Sequence, residues 1–94
     1  MTVLFFFIAD LAFRAGRIEE ALERATVLME NPKLDDKTRA RTNYLFARIF
    51  QHMGDPVNER AALEAVIADG PAAGLMLEVQ EAQSRLDELA QSDS

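Results

Sequence analysis

An all-α fold of five helices packed antiparallel is what this chain predicts. Three observations carry it. Apolar residues recur at helical spacing, nothing alternates with period two over a strand's length, and helix stop-and-restart signals stand at Gly16, Gly54-Asp55-Pro56 and Gly70-Pro71. The stretch Ala15 to Ala25 is the most informative, because one helix ends at its glycine and a strongly amphipathic one starts at once. A similar break returns 38 positions later at Gly54. Helix–turn–helix units recurring at such spacing mark a helical repeat array.

The first helix is expected over about Thr2 to Ala15, ending at Gly16, the residue that best tolerates the left-handed conformation of a helix end. Asp10 and Arg14 sit four apart and can pair across a turn. The second covers about Arg17 to Glu30, with Ile18, Ala21, Leu22, Ala25, Leu28 and Met29 on one face, and Asn31-Pro32 stops it. Asp35 or Asp36 caps the third, about Lys37 to Met53, whose apolar residues are Ala40, Tyr44, Leu45, Phe46, Ala47, Ile49, Phe50 and Met53. Asp55 followed by Pro56 is an N-cap and first-turn pair, since proline lacks an N–H that would be unpaired there anyway. It opens a fourth helix to Asp69 that buries Ala61 or Ala62, Leu63, Val66 and Ile67. After Gly70-Pro71 a fifth runs from about Ala72 to Ala90, with Leu75, Met76, Val79, Ala82, Leu86 and Leu89 on one face and Glu78, Glu81, Arg85, Asp87 and Glu88 on the other.

Ninety-four residues make one small domain, residues 1–90, followed by a polar tail, 91–94, which is expected to fray. With 49% hydrophobic residues there is material for a core. A net charge of −6 argues against nucleic acid, whose phosphates need a basic footprint. The absence of cysteine removes disulfides, thiolate catalysis and cysteine zinc sites without fixing a compartment. The apolar run Val3 to Ala9 ends at Asp10, far short of the roughly 20 residues that span a bilayer. It also lacks the basic region and cleavage site of a secretory signal, so a cytoplasmic location is the default expectation.

The residues at the two breaks resemble those of tetratricopeptide repeats. Ile8, Ala9 and Ala12 fall on that family's first-helix core positions, Gly16 on the turn, Ile18 on the turn aromatic, and Ala21 on the small residue of the second helix. Ala25, Leu28 and Pro32 follow in kind. In the second unit Phe46, Ala47, Phe50, Gly54, Leu63, Val66 and Pro71 match. Asn43, Pro56 and Glu59 depart from the pattern, Glu59 standing where a small crossing residue is usual, and the spacing of 38 exceeds the family's 34. The resemblance implies about two helix pairs plus a C-terminal capping helix. Independently of it, alanines at positions 9, 12, 21 and 25 let two helix axes approach closely, with Ile8, Leu22 and Leu28 filling the space around them.

The resemblance also implies a non-enzymatic protein–protein interaction module, a scaffold, adaptor or small chaperone, with the first helix of each pair lining a concave groove. The groove positions it assigns are Val3, Phe6, Asp10, Phe13 and Arg14, then Arg41, Tyr44, Arg48, Gln51 and His52. Arg41 and Arg48 share a helix face with Tyr44 between them, which points to an acidic or C-terminal-carboxylate ligand. The competing reading makes Arg39, Arg41, Arg48 and Arg60 a solvated face in a chain with 16 acidic residues. The lysine and asparagine set of the family's carboxylate clamp is absent.

Phe5-Phe6-Phe7, with Leu4 and Ile8, makes the first helix apolar nearly all round, because successive residues point about 100° apart. Such a helix expects burial on more than one side. Leu4, Phe5 and Phe7 are therefore the candidate face for a partner subunit or for self-association, against the alternative that the aromatics fold into a covered core. A membrane surface is not the expected cover, since flanking lysines are missing. The alternative function is a self-assembling helical bundle, a homodimer through this helix. His52 has no companion ligand for a metal, and the carboxylate pairs Glu19-Glu20, Asp35-Asp36 and Asp87-Glu88 sit on polar faces. No phosphate loop, nucleophile–base pair or dinucleotide fingerprint occurs, so no catalytic residue, cofactor or metal is expected.

Overall fold

The structure, a computed structural model, describes residues 2–92. Five helices follow one another: α1 (Thr2–Arg14), α2 (Ile18–Met29), α3 (Asp36–Met53), α4 (Pro56–Asp69) and α5 (Met76–Ser92). No strand occurs among the described residues. Each helix packs on the next, and α1 also reaches α3.

Small residues make these contacts close. Ala9, Ala12, Ala21 and Ala25 are buried with Leu45 and Ile49 in one cluster, where α1, α2 and α3 meet. Ala47, Ala62, Leu63, Val66, Ala82 and Leu89 form a second cluster between α3, α4 and α5. Phe46 packs against both and joins them into one core.

The breaks at Gly16 and Gly54 work as the sequence predicts, and the third ends α4 at Asp69 as expected but restarts the chain later. Gly16 and Gly54 both have positive φ, 82° and 73°. At the first, the Gly16 and Arg17 N–H groups donate to the carbonyls of Phe13 and Ala12; at the second, those of Gly54 and Asp55 donate to Gln51 and Phe50. These bonds satisfy carbonyls that a helix end leaves open. Asp35 caps α3 by accepting from the Thr38 N–H at 3.0 Å, and Asp55 caps α4 from Asn58 at 3.2 Å.

The third break is different. Gly70 keeps a right-handed helical conformation and is buried, and a Cβ there would meet the Val79 side chain at 2.4 Å. Its smallness serves close packing of α5 on the end of α4. The chain turns instead at Gly74, φ 77°, so α5 starts at Met76 and not near Ala72. Leu75 is buried just before it, whereas Met76 is exposed, outside the apolar face assigned to it. At the other end Gln91 and Ser92 belong to α5; Asp93 and Ser94 of the expected tail lie outside the described residues. Of the Ala61/Ala62 pair, Ala62 is the buried one.

Candidate functional site

Helices α1, α3 and α5 together bound a groove of about 370 Å³. From α1 come Phe6, Phe7, Asp10 and Arg14, from α3 Arg41, Tyr44, Leu45 and Arg48, and from α5 Leu77, Glu78 and Glu81. Six residues assigned to a groove from the sequence are thus brought together: Phe6, Asp10, Arg14, Arg41, Tyr44 and Arg48. Gln51 lines an adjoining hollow that shares Tyr44, Arg48 and Glu81 with the groove. Phe13 and His52 stand outside the groove, ring edge to ring face with centroids 6.3 Å apart, and Val3 is exposed on α1.

The charges of the groove are unequally committed. Arg14 donates to Asp10 at 2.8 Å. Tyr44 donates its hydroxyl proton to the Glu81 carboxylate, tying α5 to α3. Burial first, and then this carboxylate, push the Tyr44 phenol up to about 12. The Arg48 guanidinium lies 5.1 Å from the centre of the Phe13 ring, a cation–π contact that holds its stem without neutralising it. Neither Arg41 nor Arg48 meets a carboxylate at ion-pair distance among the described residues. Arg48 is exposed, while Arg39, Arg41 and Arg60 are half-buried.

The apolar surface of α1 divides in two. Leu4, Phe7 and Leu11 are 60%, 50% and 63% exposed and follow one another at i, i+3 and i+7, a stripe on the side away from buried Ala9 and Ala12. Leu11 was not singled out in the sequence, although its spacing from Leu4 and Phe7 places it on their stripe. Phe5, 53% exposed, turns the other way and lines a hollow of about 450 Å³ against α2 with Ile8, Val27 and Leu28.

Beneath the adjoining hollow lies a pair the sequence reading missed. Glu59 of α4 is 2% exposed and accepts from Arg85 of α5 at 2.6 and 3.2 Å, a two-bond fork. Arg85 also reaches Glu88 at 3.2 Å. The Glu59 hydrogen bonds, ahead of any other influence, hold the guanidinium above its ordinary range. Arg85 therefore leaves the solvated face first assigned to it.

Among the described residues no group of three or more histidine, cysteine, aspartate or glutamate side chains converges to hold a metal ion. No helix among them is long and apolar enough to cross a membrane. No family model, curated protein or solved structure matches the chain. The likeness to tetratricopeptide repeats rests on the residues already named.

Proposed function

We propose that the chain is a non-enzymatic protein–protein interaction module of tetratricopeptide-like helix pairs. It takes a segment of a partner protein in the α1–α3–α5 groove and along the apolar back of α1. One observation carries this reading: Phe7 belongs both to the groove and to the exposed Leu4–Phe7–Leu11 stripe, so the two form one continuous surface. Contiguous exposed apolar surface of this kind is a mark of interaction sites.

Energetics favour use of the whole surface. Fully burying a large apolar side chain is worth about 1.5–3 kcal/mol, so covering the half-exposed Val3, Leu4, Phe7 and Leu11 yields about 3–7 kcal/mol. Association costs about 4–15 kcal/mol before any affinity appears. The α1 surface alone gives weak binding to a partner, and the groove supplies the remainder.

The spacing of Leu4, Phe7 and Leu11 favours a second reading, a homodimer in which two α1 stripes pack on each other. There both stripes are buried and the apolar gain doubles. Light scattering across a concentration series separates the two. A dimer lost on Leu11→Asp, outside the groove, establishes self-assembly. A monomer that binds an amphipathic helical peptide, and loses it on Phe7→Asp, establishes the module. A monomer that binds neither peptide nor a hydrophobic dye overturns both.

A further inference from the structure

The groove has two walls of opposite uncommitted charge. On α3, Arg41 and Arg48 have no carboxylate partner among the described residues, in a chain whose 16 acidic residues outnumber its 10 basic ones. On α5, Glu81 is engaged by Tyr44, whereas Glu78 has no hydrogen-bond or ion-pair partner among the described residues. Arg14 and Asp10 on α1 neutralise each other. At a rise of 1.5 Å per residue, Arg41 and Arg48 stand about 10 Å apart along the groove on one helix face. The Arg48 guanidinium rests against the Phe13 ring, and Arg41 is half-buried. Exposed Phe7 and Leu77 supply apolar rims on opposite sides.

Resting on the interaction-module reading, we propose that the groove's occupant is an amphipathic helix of a partner protein with one acidic edge. Its carboxylates recur at i and i+7, matching the Arg41–Arg48 separation, and each accepts the two parallel hydrogen bonds that a guanidinium offers. Leucines or similar residues three and four positions from them lie against Phe7 and Leu77. The edge towards α5 is neutral or basic, because Glu78 repels a second row of carboxylates. Such a ligand meets complementary charge on both walls, which selects its orientation as well as its identity.

Fluorescence anisotropy on the full chain tests this with labelled, leucine-striped helical peptides of about fifteen residues. One carries glutamates seven apart, a second glutamines there, and a third lysines. The glutamate peptide binds, and the glutamine peptide binds about tenfold more weakly, as expected for two partly exposed ion pairs. The double variant Arg41→Gln/Arg48→Gln, shown folded by its circular-dichroism melt, loses a similar factor for the glutamate peptide and none for the glutamine peptide. Equal binding of glutamate and glutamine peptides, both weakened by Phe7→Asp, overturns the acidic edge and leaves the interaction module standing. Tighter binding of the lysine peptide overturns it as well, since the α5 carboxylates then govern. Failure of all three removes the groove as a partner site.

Discussion

Removing Arg85 is the most discriminating perturbation of this fold. The Glu59 carboxylate is 2% exposed and receives two hydrogen bonds from that one guanidinium. In Arg85→Met it is left buried and alone, and breaking a buried pair from one side costs about 3–5 kcal/mol. Glu59→Gln is milder. Arg85 has a side chain 29% exposed and keeps Glu88 at 3.2 Å, so the loss is that of charge-assisted hydrogen bonds, about 1.5–3 kcal/mol. Replacing both by methionine removes the desolvation cost together with the attraction, and the outcome is neutral within about 1 kcal/mol or stabilising. In a domain of this size each kcal/mol moves the melting midpoint by about 4–8 °C. Arg85→Met therefore melts at least about 12 °C lower, Glu59→Gln less so, and the double variant near the parent. Urea and thermal melts followed by circular dichroism read these values. An Arg85→Met cost under about 1 kcal/mol, or a double variant as unstable as Arg85→Met, refutes the buried-pair reasoning.

Two further outcomes follow from the packing and from the groove. Ala21 is fully buried where α1 and α2 cross, so Ala21→Phe overpacks the crossing and costs about 1–3 kcal/mol; an unchanged melt would disprove the close approach. Tyr44 is the chain's single tyrosine, so ultraviolet absorbance follows its ionisation alone, and the midpoint is expected near 12. Because the folded state holds the phenol above its ordinary value of 10, the stability it contributes is complete below pH 10 and is lost as pH rises from about 10 to 12. Glu81→Gln lowers the midpoint only in part, since burial is the larger cause; no movement at all would deny the α3–α5 contact.

How much of this was legible depends on whether the information is local. Helix breaks at Gly16 and Gly54 were readable because a positive φ selects glycine directly, and the Asp35 and Asp55 caps because a short carboxylate before a helix reaches its first N–H groups. Gly70-Pro71 marked the end of α4 at Asp69 but misplaced the restart, because Gly70 stays right-handed and small to admit Val79 and the left-handed turn falls on Gly74. On the site, the α1 and α3 walls followed from the groove positions that the tetratricopeptide resemblance assigns along single helices. The α5 wall of Leu77, Glu78 and Glu81 depends on where the chain restarts after Gly74, a tertiary matter.

Glu59 and Arg85 are the instructive omission, because a signal for them existed. Glu59, Leu63 and Val66 fall at i, i+4 and i+7, and Ala82, Arg85 and Leu89 at i, i+3 and i+7. Each charge thus sits in register on the apolar stripe of its helix, and the stripes face each other across the second core cluster. Opposite charges at such positions mean a buried pair more readily than two independent surface residues, since neither is buried at tolerable cost alone. That pair ties α5 to α4 beside the packing of Ala82 and Leu89, on the same helix that brings Glu78 and Glu81 to the groove. The same energetics thereby connects the core to the groove.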